Sequence, residues 1–160
     1  MPVEMFLKLS GIEGESSDAK HKGEIDVLAW SWGLSQEAGS PTGGGGGAGR
    51  VKIENISIEK LVDLASPLLL LFGAQGKHIT DGTLTTRKPG KGSSDFLLFK
   101  MTDVIVTSVH VAAAKDTNQP TESITLSFGK VEFDYRATKP DGSPGTEKSF
   151  KWDVTAVKSF

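Results

Sequence analysis

The sequence predicts a mainly β chain: a closed or nearly closed antiparallel β-barrel with one flanking α-helix and a long Gly-rich loop, forming a single domain over residues 1–160. Three observations lead there. Apolar side chains recur with period two along most of the chain, which is the signature of half-buried strands. Only one segment carries helical spacing. Several strands are long, and one slips phase in its middle, a combination best accommodated where a sheet curls on itself and loses its exposed edges. A β-sandwich is the fallback for the same pattern.

In chain order, Val3, Met5, Leu7 and Leu9 share one face of a first strand, with Glu4, Lys8 and Ser10 opposite and Phe6 out of phase. A polar stretch from Gly11 to Gly23 leads into a second strand from Glu24 to Gln36. Leu28, Trp30, Trp32 and Leu34 share a face there, opposite Val27, Ala29, Ser31, Gly33 and Ser35. Trp30 and Trp32 each bring a large aromatic area and a donor that needs a partner, so their face is expected to anchor the barrel core. The glycine segment and a third strand, Val51 to Ser57, come next.

Between Ile58 and Gly73 the period changes: Leu61, Leu64, Ala65, Leu68, Leu71 and Phe72 recur at three and four. A proline inside a helix costs about 3 kcal/mol. Pro67 therefore divides this segment into a turn from Glu59 to Leu64 and a helix with Ser66 as N-cap, Pro67 at its first position and Gly73 at its end. Further strands are expected from His78 to Arg87, Asp95 to Val111, Glu122 to Ala137 and Glu147 to Val157. Their separators, Pro89-Gly90-Lys91-Gly92 and Pro140-Asp141-Gly142-Ser143-Pro144-Gly145, carry turn chemistry. Ile124, Leu126 and Phe128 fall on even positions but Val131, Phe133 and Tyr135 on odd ones. A β-bulge at Gly129-Lys130 would keep both halves facing the core.

Composition mostly excludes function classes. A formal net charge of -2 and a pI near 5.9 leave no basic field for nucleic acid or anionic lipid. The longest apolar run, Leu68 to Phe72, is far too short to insert across a bilayer. The stretch Met1 to Lys8 has charges within its apolar residues and does not read as a Sec-type signal peptide. With no cysteine, thiol catalysis and thiolate metal sites are excluded, and the fold is expected to survive either redox compartment. His21, His78 and His110 show no metal-ligand spacing. Ser108 and His110 alternate onto one strand face with Asp103 on the other, which breaks a triad. A carboxylate pair such as Asp103 with Glu122 is the remaining enzymatic option, and charged strand residues of that sort are usually solvated. No catalytic, metal or cofactor site is expected.

Seven of the 19 glycines lie between Gly39 and Gly49. The run looks like a phosphate loop but fails on context, because Arg50-Val51 opens a strand and no Gly-Lys-Ser/Thr opens a helix. It reads either as a flexible hairpin connection or as a loop that orders on a partner, with Ser40-Pro41 and Arg50 anchoring its ends.

The block Gly23-Glu24-Ile25-Asp26-Val27-Leu28-Ala29-Trp30-Ser31-Trp32-Gly33, followed by a Gly-rich loop ending in Ala48-Gly49-Arg50-Val51, resembles Hcp, the haemolysin-coregulated protein family that forms the tube of type VI secretion systems. Supporting blocks are Met5-Phe6-Leu7-Lys8 with Gly14-Glu15-Ser16, the Lys60 to Leu70 segment with Ser66-Pro67, Gly76-Lys77-His78, and Thr121 to Phe128. The resemblance implies a β-barrel with a flanking helix, a homo-hexameric ring, and rings stacked into a tube that a contractile sheath expels. A spike protein caps such a tube and effectors travel in its lumen. It also implies export from the cytoplasm to the extracellular space or a target cell without a cleaved signal peptide. In this family the long loop after the Trp strand takes part in ring stacking. Carried over, this makes Gly39, Ser40, Pro41, Thr42, Gly43, Gly44, Gly45, Gly46, Gly47, Ala48, Gly49 and Arg50 the expected stacking loop. From the residues themselves, the Gly11 to Lys22 segment offers a receiving surface, with Glu13, Glu15 and Asp18 able to meet Arg50. The small residues Ala29, Ser31 and Gly33 read either as the lining of the lumen or as a plain solvent-facing strand. The residues also leave open a monomeric barrel carrying a small apolar ligand, which needs an empty interior.

Overall fold

The computed structural model describes residues 2–37, 50–89 and 94–160. The loop expected from Gly39 to Gly49 and the turn at Gly90-Lys91-Gly92 lie outside the described residues. In order, the elements are β1 (Glu4–Leu9), β2 (Ile25–Asp26), β3 (Ala29–Ser31), β4 (Leu34–Gln36), β5 (Val51–Ile53), β6 (Ile56–Leu61), α1 (Ser66–Gln75), β7 (Ile79–Arg87), β8 (Asp95–Ala112), β9 (Thr121–Thr138), β10 (Pro144–Asp153) and β11 (Lys158–Ser159).

Two 18-residue strands organise the molecule. β8 and β9 pair antiparallel along most of their length, from Leu97↔Tyr135 to Ala112↔Thr121. The first half of β9 also pairs with β6 and its second half with β10. On the other side β7 pairs with the first half of β8, and β1 with β7. The barrel is nearly closed by one segment that changes partner: Ile25 and Asp26 pair with β1, and Ala29 to Ser31 pair with β6. At the change, Val27 N donates to Met5 O at 3.1 Å and Leu28 N to Glu59 O at 2.8 Å.

This change of partner divides the expected strand from Glu24 to Gln36 into three. Ile25 and Val27 point inward, then the phase shifts so that Trp30 and Trp32 point inward instead. Leu28, at 55% exposure, and Leu34, at 46%, therefore do not share a buried face with the tryptophans.

The expected turn from Glu59 to Leu64 is also corrected. Ile56, Ile58 and Lys60 are buried in alternation, so the segment is strand β6 as far as Leu61. A lysine on the inward phase hides the period-two pattern. The helix then starts as expected near Pro67, but Ala65 holds the N-cap position. It runs through Gly73 to Gln75 and ends on Gly76 at φ 61°, a left-handed closure that glycine adopts without steric penalty. Lys77 N completes it on Phe72 O at 3.0 Å. The buried stripe is Ala65, Leu69 and Phe72, leaving Leu64, Leu70 and Leu71 exposed. The helix lies across β8, where an added Cβ on Gly73 would touch Val106 Cγ1 at 3.5 Å.

The bulge expected at Gly129-Lys130 is absent from the β8–β9 ladder. Met101↔Val131 and Val104↔Phe128 keep one register across it. Both strands shift phase together, with Asp103 at φ 57° opposite the Gly129 position. Two neighbours that slip together need no extra residue, and the slip falls where β9 exchanges β6 for β10. The real register shift lies between Val106 and Ser108. Tyr135, expected inside, is 47% exposed.

Leu7, Ile25, Ile56, Ile58, Phe99, Met101, Ile124, Leu126 and Val131 fill the interior. Each large aliphatic or aromatic side chain of this kind contributes about 1.5–3 kcal/mol through burial. Phe6 leaves the pattern for a reason: it stacks on His21 with ring centroids 4.5 Å apart, under the loop that follows β1.

Candidate functional site

β3, β6, the first half of β9 and the second half of β8 form a four-stranded patch within the larger sheet. Because Ile56, Ile58, Ile124 and Leu126 point into the core, alternation sends Ser57, Ser123 and Thr125 to the outer face. Ala29 and Ser31 are exposed beside them, through the pairs Ala29↔Glu59 and Ser31↔Ser57. The shift at Thr107 puts two consecutive hydroxyls outward: Thr107 Oγ1 lies 2.7 Å and Ser108 Oγ 2.6 Å from Thr125 Oγ1. Asn55 Nδ2 donates to Thr107 Oγ1 at 3.3 Å, and Ser123 Oγ donates to the Glu59 carboxylate at 2.6 Å. The face is small, hydroxyl-rich and internally hydrogen-bonded. Gly33 is not on it; it sits past the end of β3, half-buried, with its carbonyl accepting from Glu54 N at 3.1 Å.

Both margins of this patch are open among the described residues. β1 meets the partner-changing segment only at Ile25 and Asp26, so Ala29 to Ser31 run past its start. β7 accompanies β8 only as far as Val104, so the stretch from Ile105 to Ala112 has a strand on one side alone. Such edges carry backbone donors and acceptors available to another chain. The outer side of β8, β9 and β10 is different in kind: Lys100 bridges Glu132 at 3.1 Å and Asp134 at 3.3 Å, Lys151 reaches Glu132 at 3.2 Å, and Arg136 pairs with Glu147 at 2.7 Å.

The structure places both tryptophans half-buried against the core. Trp32 meets Phe99 edge-on at 5.0 Å, and Trp30 lies 6.3 Å from the same ring. Their donors are satisfied: Trp30 Nε1 by Thr86 Oγ1 at 3.3 Å, Trp32 Nε1 by Glu54 O at 2.8 Å. The second bond ties down the root of the β4–β5 hairpin, which pairs with nothing but itself among the described residues. Of the expected stacking loop only Arg50 is described, exposed at the start of β5 with its carbonyl accepting from Glu37 N at 3.4 Å.

Two charge clusters were not anticipated. Lys60, fully buried, donates through Nζ to Glu122 Oε2 at 2.9 Å, Asp63 Oδ1 at 2.9 Å, Leu61 O at 2.9 Å and Ser66 Oγ at 3.3 Å. Ser66 donates in turn to Glu122, whose Oε1 has no partner among the described residues. Glu122 thus stands with Lys60, while Asp103 is exposed beside His78 at 2.6 Å, and the two carboxylates proposed as a pair are not together. In the second cluster Arg87 bonds Glu4 and Asp18 and covers the Phe6 ring at 5.0 Å. His21 reaches Glu24 at 2.8 Å and Asp95 at 3.2 Å. The Arg87 guanidinium holds the Asp18 carboxyl well below the usual carboxylate range. Asp18 therefore belongs to its own chain's Arg87, which corrects the expectation that it meets Arg50; Glu13 and Glu15 remain exposed.

With this geometry in place, the family profile described as "Type VI secretion system effector, Hcp" matches residues 6–135. The chain belongs to the Hcp family. It is similar to Protein hcp1 of Pseudomonas aeruginosa, 39% identical over 156 residues and 96% of each chain. Hcp1 from Salmonella typhimurium superposes with a TM-score of 0.83 at 34% identity, covering 100% of both chains. A type VI secretion system effector from Yersinia pestis gives 0.76 at 36%, covering 94% of this chain and 99% of that one. These neighbours share the barrel-like fold. Hcp homologues are tube and effector proteins of type VI secretion, and that is the functional class of this chain. The match supports this class and not a small-ligand carrier, consistent with an interior filled by its own side chains.

Proposed function

We propose that the chain is the structural subunit of a type VI secretion tube, with six copies closing into a ring and rings stacking into a hollow conduit for effector proteins. The observation that carries this is the open-edged, hydroxyl-rich patch of β3, β6, β9 and β8. Two different open edges on one patch favour heterologous pairing, edge of one copy to opposite edge of the next, which closes into a ring when the rotation per copy divides a full turn. The patch face then turns toward the lumen, with Ala29 and Ser31 on it and Gly33 at its margin. Apart from the exposed Glu59 carboxylate, which accepts from Ser123, its side chains are small and uncharged, and their hydroxyls offer passing protein weak, reversible contacts. The loop from Gly39 to Arg50 serves ring stacking, since glycine lets backbones approach closely. On this reading the partners are the spike, the sheath and effectors, without nucleic acid, membrane insertion or cofactor. The subunit is non-enzymatic and passes from cytoplasm to the extracellular space or target cell without a cleaved signal peptide.

Size-exclusion chromatography with negative-stain imaging tests the reading. Rings with a central hole, eluting near six times the 17.0 kDa chain mass, are expected. A monomer at high concentration would overturn it.

A further inference from the structure

The outward side chains of the four-stranded patch run in rows across β3, β6, β9 and β8. One row is Ser31, Ser57, Thr125 and Ser108; the next is Ala29, Glu59 and Ser123, with His110 at the open β8 margin. Glu59 is the one carboxylate among the described outward residues of these strand segments, and no lysine or arginine shares the face with it. It is exposed, and Ser123 Oγ donates to its Oε2 at 2.6 Å. A hydroxyl donor fixes the direction of a carboxylate without neutralising it, because it carries no net charge. Beyond the phase slip the sheet is arranged otherwise: Glu132, Asp134 and Glu147 each meet a lysine or an arginine. The uncompensated carboxylate thus stands on the face that is otherwise free of charge.

We propose that Glu59 sets the class of protein the lumen retains: segments bearing lysine or arginine, whose charge the carboxylate pairs while Ser57 and Thr125 meet neighbouring polar groups. The inference rests on the ring reading above and adds the chemistry of the passenger. Glu59 lies on an inner strand, between β3 and β9. It therefore stays on the open face when the margins at Ala29 to Ser31 and Ile105 to Ala112 pair with neighbouring copies. Its partner across β3 is Ala29, whose single methyl leaves the carboxylate accessible. Closure repeats Glu59 once per copy at one level of the channel. An isolated surface ion pair adds little, but like charges lining a protein-walled channel concentrate the field within it. Several weak contacts made together hold a passenger that each alone would release. Retention then stays reversible, as transport requires.

Paired fluorescent peptides of equal length test this, one with several lysines and one with glutamates at the same positions of a serine–glycine background. They are titrated onto assembled rings at low salt and about pH 8, above the ordinary histidine range. Wild-type rings should bind the lysine peptide roughly tenfold more tightly than the glutamate peptide, and about 1 M salt should shrink that preference. Glu59→Gln keeps an acceptor for Ser123 and removes the charge, so the preference should vanish. Glu147→Gln removes the same charge from the other half of the sheet and should keep it. Intact rings with no preference, or with one that survives Glu59→Gln or falls equally in Glu147→Gln, overturn the inference and leave the ring reading standing. Chromatography of the same samples separates the two, because a monomeric protein would overturn the ring reading itself and the inference with it.

Discussion

Lys60 is the side chain whose removal tells most about how this barrel is held. Its ammonium has no contact with solvent and donates to two carboxylates, one carbonyl and one hydroxyl, joining β6, β9, the 62–65 turn and the first residue of α1. Lys60→Met keeps the length and apolar stem but leaves the Glu122 carboxylate buried and uncompensated. Breaking one side of such a pair costs about 3–5 kcal/mol. Against a total stability of about 5–15 kcal/mol, that is roughly a fifth of the whole or more. At about 2–4 °C per kcal/mol for a domain of this size, the melting temperature should fall by roughly 6–20 °C. Adding Glu122→Leu removes the stranded charge, and the double variant should recover most of the loss, since well-packed apolar replacements of buried pairs are often neutral. Thermal unfolding by circular dichroism at neutral pH, run as a double-mutant cycle, measures all four corners. A single variant that loses less than about 1 kcal/mol, or a double variant no more stable than Lys60→Met, would refute the argument.

Three further outcomes are expected. Because the Asp18 carboxyl is held low by Arg87, its stabilisation is complete above the usual carboxylate value near 3.9 and is lost progressively as pH falls below it; Arg87→Ala should remove that dependence and raise hydrogen exchange in residues 11–23, whereas an unchanged acid profile would contradict it. Replacing Ser31 by glutamate should leave ring mass unchanged and alter retention of a co-purifying effector, and retention equal to wild type would count against a lumenal Ser31. Deleting Gly43 to Gly47 should preserve rings and shorten or abolish tubes in negative stain, so tubes of normal length would remove this loop from stacking.

Much of the architecture was legible because period-two alternation is a direct image of burial on one sheet face. The strands from His78, Asp95 and Glu122 follow from it, and the helix after Pro67 from the change to a spacing of three and four. Departures occur where the chain changes partner or buries a charge. The segment from Glu24 to Gln36 reads as one strand because its alternation is nearly continuous, but it switches from β1 to β6 at Val27-Leu28, and a change of neighbour leaves no mark in hydropathy. Lys60 reads as part of a turn, and Glu122 as solvated because charged residues usually are. A signal was present all the same: Lys60 continues the inward phase of Ile56 and Ile58, Glu122 that of Ile124 and Leu126, and the two are cross-strand partners. Opposite charges on inward phases of adjacent strands mark a buried pair. The reach of Arg87 to Asp18, 69 residues away, has no counterpart in local pattern at all.

The contrast between the two halves of the β8–β9 pair bears on which side of the subunit meets which surroundings. Around Lys100, Glu132, Asp134 and Lys151 the sheet carries paired charges of both signs, a face poorly suited to close packing against an identical copy. Beyond the common phase slip at Asp103 and Gly129, the same two strands carry Thr107, Ser108, Ser123 and Thr125, and one of them loses its outer neighbour. One slip thus separates a self-sufficient half, paired on both sides, from a half whose edge is open and whose face is neutral apart from Glu59. If that second half joins its counterparts around a ring, Lys100 to Lys151 belong to the wall rather than the channel. Charge reversal at Lys151 should then leave effector retention untouched while Ser31→Glu changes it. Equal sensitivity at both positions would mean that the two halves face the same environment, and the division at Asp103 and Gly129 would have no part in separating wall from lumen.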